Sequence, residues 1–261
     1  ENKFGIDFEF ILEAYERASK LPNLNLKGLQ MHIGSQLTSV DPFVEAVEKV
    51  GPLAARLKAD YGIEFFSIGG GIGIIYEEAL ASGKESWWTE QPEDSRPITP
   101  GKYAAAILPG LEKLGLKILL EPGRFIAGNA GVLVTRCLYE KKGTTKTFKI
   151  VDSGMHHLIR PALYEGFHEI VPINEPSGAI ESVDVVGPIC ESGDFFCQNR
   201  EVSSFLPGDL IALMSAGAYG MVMATTYNSH PLPAEILVDG DDSKVVRKRQ
   251  TLEDLIAPEE L

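Results

Sequence analysis

Leu119-Leu120-Glu121-Pro122-Gly123-Arg124 is the stretch whose reading decides the fold. An apolar run ends there on a carboxylate, a chain-turning Pro-Gly and a guanidinium. Everything before it reads as parallel α/β, and everything after it as β. A buried strand that ends in Glu and Arg, with a glycine that lets a ligand approach the backbone, suits a cofactor with a basic ring and a phosphate. A charged turn after a core strand is the plain alternative.

Upstream, Lys3-Phe4-Gly5-Ile6 reads as a strand. Asp7 is placed to cap a helix whose apolar face is Phe8, Ile11, Leu12 and Tyr15, the spacing of a helix packed on a sheet, and Leu21-Pro22-Asn23 stops it. Leu26 to Ile33 is the next strand and runs into Met31-His32-Ile33-Gly34-Ser35-Gln36. Asp41-Pro42 predicts the cap and first-turn proline of a helix through about Ala59. Ile63 to Ile68 is a third strand, entering Gly69-Gly70-Gly71-Ile72-Gly73. Thr99-Pro100 opens another helix, Gly115 closes it, and Leu116 to Leu120 follows as a strand.

Strand and helix thus alternate with about 30 to 50 residues per unit, the pattern of a parallel sheet with crossover helices. His32, Ser35, the Gly69 to Gly73 loop, Glu121 and Arg124 all fall at carboxyl ends of strands. Open α/β sheets and (β/α)8 barrels place their active sites there, because those loops vary without disturbing the scaffold. The insertion Ala79 to Arg96, with Trp87-Trp88 and Gln91-Pro92-Glu93-Asp94, lacks periodicity and reads as a surface excursion with its tryptophans folded back.

Downstream, Val132, Val134 and Cys137 begin a different sheet. Short β-rich runs follow at Val132 to Tyr139, Thr147 to Asp152, Ser182 to Ile189, Asp209 to Met214, Glu235 to Val238 and Lys244 to Arg247. Lys142-Gly143, Pro207-Gly208 and Asp239-Gly240-Asp241 supply turns between them. The expected organisation is an α/β domain at 1–130 and a β domain at 131–261. Thr251 can cap a closing helix, and Pro258-Glu259-Glu260 reads as a solvated end.

Composition narrows the function. The 261 residues are 44% hydrophobic, enough to bury a core, and 24 basic against 37 acidic side chains give a net charge of −13. That charge repels phosphate backbones and anionic membranes, so nucleic acid and membrane are not expected partners. The apolar runs fall short of the roughly 20 residues that span a bilayer. Three cysteines, Cys137, Cys190 and Cys197, without Cys-x-x-Cys spacing indicate neither a disulfide framework nor a zinc site, and fit a reducing, cytoplasmic compartment.

Each chemical cluster has two readings. The Gly69 to Gly73 loop lets backbone N–H groups converge on an anion, or it is a tight turn; it lacks the Gly-Lys-Ser/Thr of a nucleotide P-loop. His32 alone reads as a core imidazole, and His156-His157, beside Asp152-Ser153-Gly154, as a solvated pair. No histidine has metal-ligand spacing. Arg160 and Tyr164 can grip a carboxylate, or form a surface Arg with Tyr packed beneath it, the second being favoured for this segment alone. Cys190-Glu191-Ser192-Gly193-Asp194 sets a thiol able to donate a proton beside a carboxylate able to receive an ammonium, although cysteines are more often buried and inert. Tyr219, in Gly217-Ala218-Tyr219-Gly220, serves binding or packing equally well.

In this order the segments resemble the fold-type III pyridoxal-phosphate decarboxylases. They are Gln30 to Gln36, Ile68 to Gly73, Glu121 to Arg124, Asp152 to Met155, Arg160 to Tyr164, Cys190 to Asp194, and Gly217 to Tyr219 with Tyr227-Asn228. His-Ile-Gly-Ser-Gln and Cys-Glu-Ser-Gly-Asp point within that family to the diaminopimelate branch rather than to the ornithine or arginine enzymes. The resemblance implies an alanine racemase-like (β/α)8 barrel, here about its second half, followed by a C-terminal β domain, in a homodimer with shared active sites. It implies pyridoxal phosphate as cofactor, stacked on His32 and held at its phosphate by Ser35, Gly69, Gly70, Gly71, the backbone around Gly123 and Tyr219, with Arg124 also among the cofactor-binding residues. Glu121 would pair with the ring nitrogen and keep it protonated, which favours decarboxylation over racemisation. Arg124, Arg160 and Tyr164, with Tyr219 beside them, would bind the substrate and its distal carboxylate, and Glu191 the distal ammonium. Cys190, from the partner subunit, would protonate the product. The implied reaction is meso-diaminopimelate to L-lysine and CO2, the last step of lysine biosynthesis.

The sequence departs from that family at one point: none of its fifteen lysines lies in the Lys-Ala-Asn-like motif that carries the cofactor. The chain also opens on Glu1, and the matched segments start at what would be the fifth barrel strand. The expectation is therefore the C-terminal part of a longer enzyme, inactive alone. A non-catalytic, partner-binding relative that lost the lysine, and a decarboxylase of another carboxylated diamine such as carboxynorspermidine, are the alternatives.

Overall fold

The computed structural model describes residues 3–92, 96–174 and 178–259. They pack as two compact units, one of the described residues through Ile74 with those of Gln91–Phe125, the other of Ile75–Glu90 with those from Ile126 onward.

The first unit is built on a parallel sheet of β1 (Gly28–Gln30), β2 (Phe65–Ser67) and β3 (Lys117–Leu119), in the order β1-β2-β3. Gly28 pairs with Phe65, which pairs with Lys117, and Gln30 with Ser67, which pairs with Leu119. This register puts the exits of all three strands, and the loops that follow them, at one end. Helix α1 (Ile11–Ser19) is entered through a 3-10 turn capped by Asp7, whose carboxylate accepts from Glu9 N–H. α2 (Asp41–Tyr61) buries Phe43, Val47, Ala54 and Leu57, the face dictated by the helical period, and ends on the left-handed Gly62. α3 (Glu85–Glu90) belongs to the second unit. α4 (Pro100–Leu111) lays Tyr103, Ile107 and Leu111 against that core, with the Tyr103 ring edge-on to Phe43 at 5.0 Å. Thr99 caps α4 by accepting from Lys102 N–H. Thr99→Ala is expected to cost about 1 kcal/mol, read as a lower urea midpoint with unchanged slope.

Three expectations need correction here. Lys3 to Ile6 is not a strand: it bends at Lys3 to Gly5 and leaves Phe4 77% and Ile6 55% exposed, so this short apolar run has no packed face to hold it extended. Asp41 lies within the first turn, and Val40 stands at the cap position. β3 is not a buried strand, since Lys117 is exposed, Ile118 and Leu119 are half-buried and the following Leu120 is exposed.

The second unit carries a mixed six-stranded sheet. Its strands are β4 (Leu133–Lys142), β5 (Thr147–Val151), β6 (Ile170–Pro172), β7 (Ile180–Val186), β8 (Phe195–Ser203) and β9 (Leu210–Leu213), in the order β6-β9-β4-β5-β7-β8. Its core gathers Cys137, Val151, Val185, Phe196, Ile211 and Leu213. The sequence pattern misses β6 and β8. Phe195-Phe196-Cys197-Gln198-Asn199-Arg200 lacks clean alternation, because bulges at Val183/Val185 and Val185/Val186 of the partner strand shift the register. A separate hairpin joins β10 (Glu235–Asp239) to β11 (Asp242–Arg247). Short α5 (Gly123–Ala127) and α6 (Arg160–Tyr164) themselves carry residues singled out from sequence, Gly123 and Arg124 in the first and Arg160 and Tyr164 in the second. α7 (Leu252–Ile256) has a full capping box between Thr251 and Asp254. In the insertion, α3 forms where no periodicity was legible, and the tryptophans do fold back: Trp87 Nε1 donates to Glu78 and Trp88 Nε1 to the Ser82 carbonyl. Positions 93–95 of this excursion, and Glu1 and Glu260 at the ends, lie outside the described residues.

Candidate functional site

In the first unit the three strand exits converge, and the side chains singled out from sequence meet there. Ser67, the buried last residue of β2, donates from Oγ to Glu121 Oε1 at 2.7 Å and accepts from Gly69 N–H at 3.2 Å. Gln30, the last residue of β1, reaches both Glu121 oxygens from Nε2 at 3.4 Å. The carboxylate is thereby aimed by two neighbours that sequence reasoning did not assign a role; their place at strand ends was the available signal. His32 accepts at Nδ1 from Gly70 N–H at 3.3 Å, which puts the proton of the neutral ring on Nε2. Arg124 donates to Ser35 Oγ at 2.9 Å.

The glycines are required by this crowding. A Cβ on Gly69 would strike the Met31 carbonyl oxygen and one on Gly70 the Glu121 carbonyl oxygen, and Gly69 also has φ of +74°. Two amides of the loop are thus spent on positioning His32 and, through Ser67, Glu121. Lysines that the sheet places lie at its other end: Lys27 pairs with Glu64 ahead of β1 and β2, Lys58 donates to the Leu114 and Gly115 carbonyls, and Lys117 opens β3.

The second unit brings together a different set. Glu191 accepts from Tyr227 Oη at 3.0 Å and from Gly193 N–H at 3.1 Å, and these bonds hold its carboxyl below the usual range. The phenol of Tyr227 is pushed up in return. Cys190 is exposed, while Cys137 and Cys197 are buried and their thiols pushed up by burial. Asp194 is 4% exposed; burial raises its carboxyl, only partly offset by bonds from the Met155 and Ile189 amides.

Two sequence expectations fail in this unit. Arg160 is not a surface residue over a packed tyrosine. It is 8% exposed, stacks on the Tyr76 ring at 4.4 Å and donates to His168 Nε2 at 2.7 Å, whose Nδ1 donates to the Met214 carbonyl, whereas Tyr164 is 61% exposed. The reason is that Tyr76 and His168 meet the guanidinium of Arg160, while α6 ends on the left-handed Glu165 directly after Tyr164. His156 and His157 are not solvated: they are 1% and 9% exposed, with ring centroids 3.9 Å apart. His157 accepts at Nδ1 from Ser153 and donates from Nε2 to the Pro231 carbonyl, while both His156 nitrogens lack a partner among the described residues. Burial and the neighbouring His157 and His230 drive His156 down to about 3. Tyr219 is 41% exposed and has φ of +60°, uncommon for a bulky residue.

A carboxylate braced at the exit of one strand, an imidazole oriented at another and a glycine loop between them thus stand together at the strand exits of a parallel α/β scaffold. Residues 14–217 match the family model for the C-terminal sheet domain of pyridoxal-dependent decarboxylases, and the chain belongs to that family. Its fold is that of about the second half of a (β/α)8 barrel followed by a C-terminal β domain. The diaminopimelate decarboxylase of Vibrio cholerae is 41% identical over 99% of this chain and 58% of that protein. Diaminopimelate decarboxylase from Helicobacter pylori, solved in complex with L-lysine, superposes with a TM-score of 0.87 at 41% identity, covering 99% of this chain and 61% of that one. AQ1208 from Aquifex aeolicus gives a TM-score of 0.88 at 40% identity, over 98% of this chain and 60% of that one. The chain therefore spans about three fifths of the length of these relatives. No helix among the described residues is long and apolar enough to cross a membrane.

Proposed function

We propose that the chain serves the pyridoxal-phosphate-dependent decarboxylation of meso-diaminopimelate to L-lysine and CO2. The braced Glu121 carboxylate carries this reading. The donor set fits the cofactor: an anion for a ring nitrogen, a flat imidazole, and hydroxyl and guanidinium groups for a phosphate. When bound, pyridoxal phosphate supplies a protonated pyridine ring that accepts the electron pair left by departing CO2.

The protein's part is to hold and aim. Glu121 keeps a negative charge at the ring nitrogen, and His32 offers its face to the ring. Ser35, Arg124, Gly71, the backbone around Gly123 and Tyr219 receive the phosphate. Gly69 and Gly70 contribute by absent side chains, their amides being committed to Ser67 and His32. Glu191 takes an ammonium, Arg124, Arg160, Tyr164 and Tyr219 take the substrate and its distal carboxylate, and Cys190 gives a proton to carbon. A homodimer, in which Cys190 of one subunit serves the other's substrate, completes the reading, in the reducing cytoplasm that three free thiols suit. The L-lysine in complex with the Helicobacter pylori relative supports the substrate class.

The test is CO2 and lysine release from meso-diaminopimelate by the enzyme expressed from the reading frame that encodes this chain, with carboxynorspermidine as competitor. Turnover of carboxynorspermidine alone would replace the substrate, and cofactor binding without turnover of either would favour the partner-binding relative. The chain by itself, mixed with pyridoxal phosphate and borohydride, is expected to carry no label fixed on a single lysine. Such a label, mapped by mass spectrometry, would show that one of its lysines reaches the ring.

A further inference from the structure

Asp194 is a buried carboxylate with no role in the scheme above, yet it organises the residues that have one. Its Oδ1 accepts from Met155 N–H at 2.7 Å and its Oδ2 from Ile189 N–H at 2.9 Å. Its own carbonyl accepts from Gly187 N–H at 3.0 Å and its amide donates to the Glu191 carbonyl at 3.1 Å, while Glu191 N–H returns to the Ile189 carbonyl at 2.9 Å. Cys190 stands inside this closed set of bonds, between the residue whose amide Asp194 holds and the residue whose carbonyl it engages. The carboxylate also fills the room left by two glycines, since a Cβ on Gly154 or on Gly187 would collide with it.

We infer that Asp194 is a positioning residue: its carboxylate locks the 187–194 loop, so fixing Cys190 and Glu191, and ties that loop to Met155 at the approach to the Arg160–Tyr164 helix. A charged acceptor serves because one carboxylate satisfies two amides from separate segments at once, each a charge-assisted bond. An apolar residue there would leave both amides without this acceptor, the Ile189 one buried and the Met155 one half-buried. The catalytic meaning of the lock rests on the reading of Cys190 and Glu191 given above, but the lock itself is testable without substrate.

The experiment is residue-resolved alkylation of this chain by iodoacetamide, followed by mass spectrometry. Cys190 is exposed and Cys137 and Cys197 are buried in the same unit, so the latter two report general opening while Cys190 reports the loop. Asp194→Ala is expected to raise the Cys190 rate at least threefold, with Cys137 and Cys197 as slow as before. Asp194→Asn keeps one acceptor and is expected to fall between, a partial rescue that simple loss of stability does not produce. Gly187→Ala, whose Cβ would collide with the carboxylate, is expected to reproduce the Ala effect if Asp194→Ala fails to fold. An unchanged or slower Cys190 rate, or one that rises only in step with the buried thiols, would overturn the inference. Absence of lysine formation by the complete enzyme, with the thiol pattern as expected, would instead remove the decarboxylase reading and leave the lock standing.

Discussion

On the proposed reading, Glu121→Gln in the complete enzyme is expected to lower CO2 release from meso-diaminopimelate by about a hundredfold or more, the scale on which single charge-stabilising groups act at a reacting centre. The amide keeps the size of the side chain and can still accept from Ser67 Oγ and Gln30 Nε2, so the two groups that aim Glu121 remain engaged. What disappears is the negative charge that holds a proton on a pyridine nitrogen. Because the loss belongs to the step that expels CO2, kcat should fall while the substrate KM moves little. Ser67→Ala should have a smaller effect of the same kind, since it loosens the carboxylate without discharging it. A fall of less than tenfold for Glu121→Gln would show that the carboxylate does not serve the ring nitrogen.

Folding stability should drop steeply in mild acid, and His156 should be a main cause. Its imidazole is 1% exposed, both nitrogens lack partners among the described residues, and its pKa falls from 6.5 to about 3. With the folded value below the unfolded one, the unfolded chain binds more protons between the two. The contribution is therefore complete above the unfolded pKa and is lost as pH falls toward the folded one, with a slope of about 1.4 kcal/mol per pH unit for one proton. His157, also lowered chiefly by burial, acts in the same sense. Asp194, raised by burial, acts in the opposite sense, its contribution being present at low pH and lost as pH rises through its folded value. His156→Leu removes the titration and the unpaired nitrogens together. Urea midpoints at pH 7, 6, 5 and 4 should then converge on a profile flatter by about one proton, with stability near that of the parent at pH 7. A variant that keeps the parent's slope would exclude His156 as the acid-sensitive group.

The parallel unit was legible because its signals are local. Asp7 and Thr99 are caps, Gly115 is a stop, and the helical spacing of Ile11, Leu12 and Tyr15, which pack on the core, follows from helix geometry wherever the helix lies. The glycine loop and the Glu-Pro-Gly-Arg turn were likewise readable, since few backbones need such residues. β8 was not readable: its pairing depends on bulges in another strand, and period 2 is lost wherever register shifts.

The histidine pair and Arg160 mark where local reading stops. Whether His156 is solvated depends on His157 and on His230, more than seventy positions away, and Arg160 is buried because Tyr76 and His168 come to meet it. By itself the sequence determined the alternation of strand and helix in the first unit, which residues gather at its strand exits, and the family, because caps, periods and motifs act over a few residues. Tertiary structure alone decided which polar groups lost water and which partner each then had to find. Ser67 and Gln30 became the bracket of Glu121 and Asp194 the lock of the Cys190 loop, since desolvation and pairing are set by what the folded chain brings from far along its length.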